Sequence, residues 1–170
     1  VKAFEPIFMH YYKAIAGPEE QVQLRYVSHL NAASAREVLD QNRQRDIALG
    51  YTSAGVHRDD SELLRDGHPM RATGSQGQCK SYTIALRFAQ YHFLKNATAV
   101  KPILLLDDIF DKLDSIRVQN IVDVVSSNDF GQIFITDTNL SLLDDIVKKI
   151  SADYTILMVE KGSISTHSNS

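Results

Sequence analysis

The chain has a single cysteine, Cys79, so it can form no internal disulfide. A reducing cytoplasm is the compartment this predicts. No apolar run approaches the length of a membrane span, and no membrane partner is expected. The opening residues, VKAFEPIF, lack a basic-then-apolar pattern, so no secretory signal is expected. Basic residues do not dominate: the net charge is −3 and the pI is near 6.1. That argues against a strongly basic nucleic-acid footprint, although a local basic patch can sit on an acidic chain. The six histidines are scattered and show no H-x-x-x-H metal spacing. No G-x-x-x-x-G-K-[ST] phosphate loop occurs anywhere in the sequence.

What remains suits a globular protein. Apolar residues make up 44% and charged residues 23%, enough for a core and a solvated surface in one domain, or one domain and part of another, at 170 residues. Pro6 opens a predicted helix that runs to about Ala16 and stops at Gly17-Pro18. Val22, Leu24 and Tyr26 alternate with polar residues, as in a half-buried strand. Ser34 and Glu37 have the spacing of a capping box, predicting a helix to about Leu49 that ends at Gly50. From Tyr51 the character changes. A polar loop over residues 52–60 leads to a hairpin signalled by Asp66-Gly67, which suits a type I′ turn.

Two stretches of the second half carry the chemistry. The first is GSQGQ at residues 74–78, a small-residue turn directly before a helix. That helix has two apolar stripes: Tyr82, Ala85, Leu86, Ala89 and Phe93, then Ile84, Phe88 and Tyr91. It is expected to pack on two sides. Unpaired backbone N–H groups at such a helix start, with the Ser75 hydroxyl, favour an anion. An ordinary capped helix begins the same way. The second stretch is an apolar run over residues 103–106 followed by Asp107 and Asp108. It predicts a parallel strand buried on both faces whose carboxyl end presents two acids, the place where open α/β sheets bind ligands. Asp107 there suits Mg²⁺, and Asp108 suits orienting or deprotonating a water. Taken alone, the pair is equally a polar strand end, and phospho-acceptor and metal-hydrolase folds also place acids there. Asp114 caps a helix with Val118, Ile121, Val122 and Val125 on one face. Residues 132–135 form another strand, Asn139 caps a helix with Leu143, Ile146, Val147 and Ile150, and residues 154–159 form a last strand turned back at Lys161-Gly162. Residues 163–170 are polar and expected to fray. Alternating strands and helices predict an α/β sheet with right-handed crossovers.

In this order, S-Q-G-Q, a two-striped helix, L-L-L-D-D and D-K-L-D resemble the ATP-binding-cassette ATPases, and S-Q-G-Q resembles their chromosome-maintenance and repair branch. The finer pattern adds GVHRDD at residues 55–60 before the Asp-Gly hairpin. It resembles the RecF family of bacterial recombination mediators, best over residues 50–150. The resemblance implies the C-terminal half of an ATPase lobe over residues 50–170, a mainly parallel sheet with flanking helices. Residues 1–49 would be the end of a helical arm lobe.

It further implies a site split between two copies. Ser75, Gln76, Gly77 and Gln78 would contact ATP held by a partner. Asp107 would serve Mg²⁺ and Asp108 the hydrolytic water. Asp111, Lys112, Leu113 and Asp114 would line the dimer interface. Thr136, Asp137 and Thr138 would form the switch region. Asp137 stands where many such ATPases carry a histidine, and a carboxylate beside phosphate repels. A threonine hydroxyl or the backbone is expected to act there instead. ATP and Mg²⁺ would both need the absent phosphate-loop half, so these residues alone are expected to hydrolyse nothing, while the whole protein is a slow DNA-dependent ATPase. The implied partners are gapped DNA or single-/double-strand junctions, a second copy, and mediator proteins of the same pathway. Arg58, Arg65, Arg71 and Lys80 are candidates for DNA or phosphate, or plain surface charge. A non-catalytic interaction scaffold is the alternative. A metal-dependent phosphohydrolase using Asp107, Asp108 and Asp111 is a further one.

Overall fold

In the computed structural model the described residues are 2–127, 129–139, 143, 146–147 and 154–166. The core is organised by two helices. Helix α1 spans Glu5–Ala16, with Pro6 in its first turn, where a missing N–H costs nothing. It buries Phe8, Tyr11, Tyr12 and Ile15, spaced along one helical face. Its main partner is the long helix over Gln76–Thr98, called α4 below because two helices intervene. The two predicted stripes of that helix are real: Tyr82, Ile84, Ala85, Phe88, Ala89 and Tyr91 are all buried. Phe93, assigned to the first stripe, is exposed. Aromatic rings fill the seam, with Phe8 and Tyr82 centroids 4.5 Å apart and Tyr11 and Phe88 5.6 Å apart. Each such pair adds about 0.5–1.5 kcal/mol beyond its buried area. The buried phenols are satisfied: Tyr82 donates to the Gln23 carbonyl at 3.1 Å and Tyr12 to Glu20 at 2.7 Å.

Strand β1, Val22–Val27, pairs antiparallel with β2, Asp60–Arg65, in a register running from Val22↔Arg65 to Val27↔Asp60. Val22 and Leu24 point into the core, but Tyr26 is exposed. Residues 4–24 therefore share the hydrophobic core of the later half. Helix α2, Ala35–Leu49, lies apart and buries only Val38. Its capping box is formed as predicted, with Ser34 and Glu37 each bonding the other's backbone N–H. The β2–β3 hairpin closes at Asp66 (φ 49°) and Gly67 (φ 77°), and β3 is His68–Pro69. Two consecutive positive φ angles are what the Asp-Gly pair predicted. A short helix α3, Met70–Thr73, leads into α4.

Strand β4, Leu104–Asp107, pairs in parallel with β5, Ile133–Thr136, through helix α5, Ser115–Val125. Asp114 caps α5 as expected, accepting the Arg117 N–H at 2.9 Å. Burial on both faces of β4 is not what the structure shows. Leu104 and Leu106 are buried, but Ile103 is 60% and Leu105 70% exposed, beside Phe134 at 48%. Only one side of this pair is covered by the described residues.

The C-terminal part also differs from expectation. Strand β6 runs over Leu157–Glu160, later than predicted. It turns back at Lys161 and Gly162 as expected and pairs with β7, Ser163–Thr166, but among the described residues it does not extend the parallel pair. Main-chain pairing thus orders residues 163–166, which composition alone marked as fraying. Of the predicted helix after Asn139, Leu143, Ile146 and Val147 are helical, and Ile150 lies outside the described residues. No helix among the described residues is long and apolar enough to cross a membrane.

Candidate functional site

The turn at residues 74–78 is held by its own side chains. Ser75 is extended and caps α4. Its hydroxyl oxygen accepts the Gln78 N–H at 3.3 Å, and Gln78 Oε1 accepts the Ser75 N–H at 2.9 Å. The same Oε1 accepts from Arg65 at 2.9 Å. Gln78 thus spends its amide oxygen inside the chain, and its amide NH2, the group that could donate to an anion, is engaged with Glu20. The N–H groups of Gln76 and Gly77 take no partner among the described residues, and the Ser75 hydroxyl keeps its own proton to donate. Ser75 and Gln76 are exposed. Space dictates Gly74 and is merely tight at Gly77. A Cβ at Gly74 would lie 2.5 Å from Met70 Sδ and 2.8 Å from the Met70 carbonyl oxygen. A Cβ at Gly77 would lie 3.2 Å from the carbonyl oxygen of Lys112, so the turn and the loop after β4 touch within one chain.

At the tip of β4, Asp107 and Asp108 are both exposed. Across the parallel pair the Thr136 hydroxyl donates to Asp107 Oδ1. The Asp108 N–H donates to the Thr136 carbonyl at 3.0 Å and also lies 3.2 Å from its hydroxyl. Asp108 sits at φ 47°, a left-handed backbone that strand propagation does not allow, so the chain leaves the sheet here. Lys80, one turn into α4, donates its ammonium to the Asp108 carbonyl and bridges the helix to the strand tip.

The loop that follows is pinned by Ile109 and Phe110, both buried, and by a bond of 3.3 Å from the Leu113 N–H to the Phe110 carbonyl. Its polar residues face outward: Asp111 and Lys112 form an ion pair at 3.6 Å. Asp114 ends the loop, and the N–H of Arg117, with the nearby Arg117 charge, holds its carboxyl below the usual range. A cleft of about 960 Å³ gathers Asp107, Asp108, Asp111, Lys112, Thr136 and Asp137. Leu113 and Thr138 also line it, whereas residues 75–78 do not. Asp137 folds back to accept the Asn139 N–H at 2.8 Å. The Thr136 hydroxyl, one of the groups expected to act at a phosphate beside Thr138 and the backbone, is engaged on Asp107.

Among the described residues no three acids, histidines or cysteines gather closely enough to hold a metal ion alone. One exposed carboxylate steadied by a hydroxyl does fit Mg²⁺, which takes one or two protein carboxylates and fills its other positions with water and phosphate. The basic candidates are largely committed within the chain. Lys80 serves Asp108, Arg65 serves Gln78 and pairs with Asp66 at 3.5 Å, and the Arg58 guanidinium lies 5.5 Å from the Tyr51 ring centroid. Arg71 is exposed.

Three residues escaped notice in the sequence: Glu20, Ser81 and Arg117. Arg117 Nη2 meets Glu20 at 2.5 Å and its Nη1 meets Ser81 at 2.8 Å. Only the i,i+3 spacing from the Asp114 cap was visible beforehand.

No family model matches the chain. Curated relatives do. The DNA replication and repair protein RecF of Parabacteroides distasonis is 49% identical over 164 residues, covering 96% of this chain and 45% of that protein. RecF of Flavobacterium johnsoniae is 50% identical over 156 residues, covering 92% and 44%. The chain therefore spans less than half the length of these relatives. Among solved structures, one of the recombination mediator RecF with ATP superposes with a TM-score of 0.68 at 18% identity, covering 98% of this chain and 44% of that one. A structure concerned with ATP-driven dimerisation of SMC ATPases gives 0.59 at 16%, covering 99% and 84%. The structural likeness establishes the fold, that of the RecF and SMC ATPase head.

Proposed function

Because this chain is a RecF homologue along nearly all of its length, we propose that it is the signature-bearing part of an ATP-dependent DNA-repair protein. Residues 75–78 cap ATP held by a second copy. Asp107 is the ligand for Mg²⁺, which when bound neutralises phosphate charge, and Asp108 orients the hydrolytic water. Residues 111–114 lie along the contact between copies, and residues 136–138 form the switch region, in which Thr136 steadies Asp107. Closure on ATP clamps DNA near single-strand gaps, and the closed form helps load recombinase with mediators of the same pathway in the cytoplasm. Helix α2 is the end of the arm lobe, while α1 and β1 belong to the ATPase lobe.

The observation that carries this is the contact between Gly77 and Lys112. It places the exposed helix start and the acid loop side by side on one chain, where a second copy can engage both. A nucleotide shared by two copies then favours the closed form through contacts absent in the open one. Helix N-termini with free N–H groups are suited to that phosphate.

The test is Ser75→Arg in a full-length RecF-type polypeptide carrying this chain. ATP binding is retained, and ATP-driven dimerisation measured by sedimentation weakens by about tenfold or more. Unchanged dimerisation would favour an interaction scaffold.

A further inference from the structure

Arg117 uses three nitrogen atoms on three separate elements. Nε donates to Asp114 at 3.0 Å, Nη1 to Ser81 of α4 at 2.8 Å, and Nη2 to Glu20, before β1, at 2.5 Å. The arginine and Glu20 side chains are only 14% and 17% exposed, and Ser81 is fully buried. Two of these paths continue into the turn at residues 75–78. The Ser81 hydroxyl donates in turn to the Gly77 carbonyl at 2.9 Å. Glu20 also accepts from Tyr12 at 2.7 Å, and the Gln78 side chain further stabilises its charge. The third path ends on Asp114, the last residue of the acid loop. The direct approach of Gly77 to the Lys112 carbonyl is thereby cross-braced from behind.

We propose that Arg117 is a positioning residue that fixes the turn at residues 75–78 and the loop at residues 111–114 as one preformed surface for a second copy. The inference rests on the dimer reading above and deepens it. Surfaces ordered before association lose less freedom on binding, so bracing strengthens dimerisation without touching nucleotide. Charge-assisted hydrogen bonds in a shielded setting are the strong kind. A guanidinium reaches three partners in fixed directions, and the single ammonium of lysine cannot replace it.

The test compares Arg117→Lys and Ser81→Ala with the parent and with Ser75→Arg, in a full-length RecF-type polypeptide carrying this chain. Ser81→Ala cuts one path while leaving the arginine paired with Glu20, which guards against a variant that simply fails to fold. Expected for both are retained nucleotide affinity, dimerisation weakened about tenfold or more, and faster hydrogen exchange at the Gln78 and Leu113 amides. Unchanged exchange at these amides, or parental dimerisation despite faster exchange, overturns the proposal. If Ser75→Arg dimerises like the parent while Arg117→Lys still loosens both segments, the dimer reading fails and the brace stands. If Ser75→Arg blocks dimerisation and Arg117→Lys changes neither readout, the brace fails and the dimer reading stands.

Discussion

The Thr136 hydroxyl donates to the Asp107 carboxylate across the register pair Asp107↔Thr136 of the parallel strands. A carboxylate held this way has one orientation to offer a cation. Thr136→Val keeps the shape and β-branching but deletes the donor. The Mg²⁺ affinity of the nucleotide-bound full-length protein is expected to fall by about 10–100-fold, the usual effect of losing an outer-shell partner. The melting free energy should move by less than about 1 kcal/mol, because the pair is exposed. Titration of Mg²⁺ against parent, Thr136→Val and Thr136→Ser checks this, with Ser recovering most of the affinity. An unchanged affinity in the valine variant would remove Thr136 from the site.

The two glycines of the turn separate packing from positioning. Gly74→Ala forces a Cβ to within 2.5 Å of Met70 Sδ and 2.8 Å of backbone oxygen. The sulfur can swing away, but the carbonyl cannot move without shifting α3. A loss of about 1–3 kcal/mol in denaturant unfolding is expected, typical of overpacking. At Gly77 the only near atom is the Lys112 carbonyl oxygen at 3.2 Å. There the alanine gains roughly 0.5–1 kcal/mol of helix preference, which offsets the tight contact. Near-parental stability with weaker ATP-driven dimerisation is expected, because the acid loop is pushed outward. Equal losses of stability at both positions would contradict this division.

The legible parts of the sequence were those fixed by local chemistry. The Asp66-Gly67 turn, the capping box at Ser34 and the Asp114 cap each depend on neighbours within a few residues. The acid pair at the end of β4 was legible for the same reason, since an apolar run ending in two carboxylates marks its own boundary. Pairing between distant segments was not legible. Lys161-Gly162 marked the fold-back of β6, but whether β6 also joins β5 depends on hydrogen bonds between segments, on which composition is silent. The side of β4 left open at Leu105 could not be read either, because an apolar strand looks the same whether or not something covers it. Glu20 and Arg117 lie 97 residues apart, and nothing local announces their contact.

Glu20 predicts an acid-sensitive fold. Burial by itself would push its carboxyl up, but hydrogen bonds from Tyr12 and Arg117, with the arginine charge, outweigh this and hold it below the ordinary glutamate value. The folded state therefore binds this proton less readily than the unfolded chain. The stability it contributes is complete above the unfolded value of about 4.3 and is lost as pH falls through the lower folded value. Urea midpoints taken from neutral pH downward should drop more steeply for the parent than for Glu20→Gln, which carries no titrating group there. Parallel acid limbs would show that Glu20 is not held charged in the folded state.

The open side of β4–β5 gives opposite expectations in two settings. Ile103, Leu105 and Phe134 form an exposed apolar strip beside strand edges that are unpaired among the described residues, a surface prone to self-association. In the chain by itself, Leu105→Lys replaces an exposed side chain, so unfolding free energy should change by no more than about 0.5 kcal/mol. Light scattering at high protein concentration should fall, because a charge interrupts the strip. In a full-length RecF-type polypeptide, where additional chain is expected to cover this side, the same lysine would be buried without a partner. A loss of more than about 3 kcal/mol is then expected. Measuring both proteins decides whether the strip is an interior face. A neutral effect in each would leave it on the surface, and a large loss in the short chain would mean that the strip is already packed there.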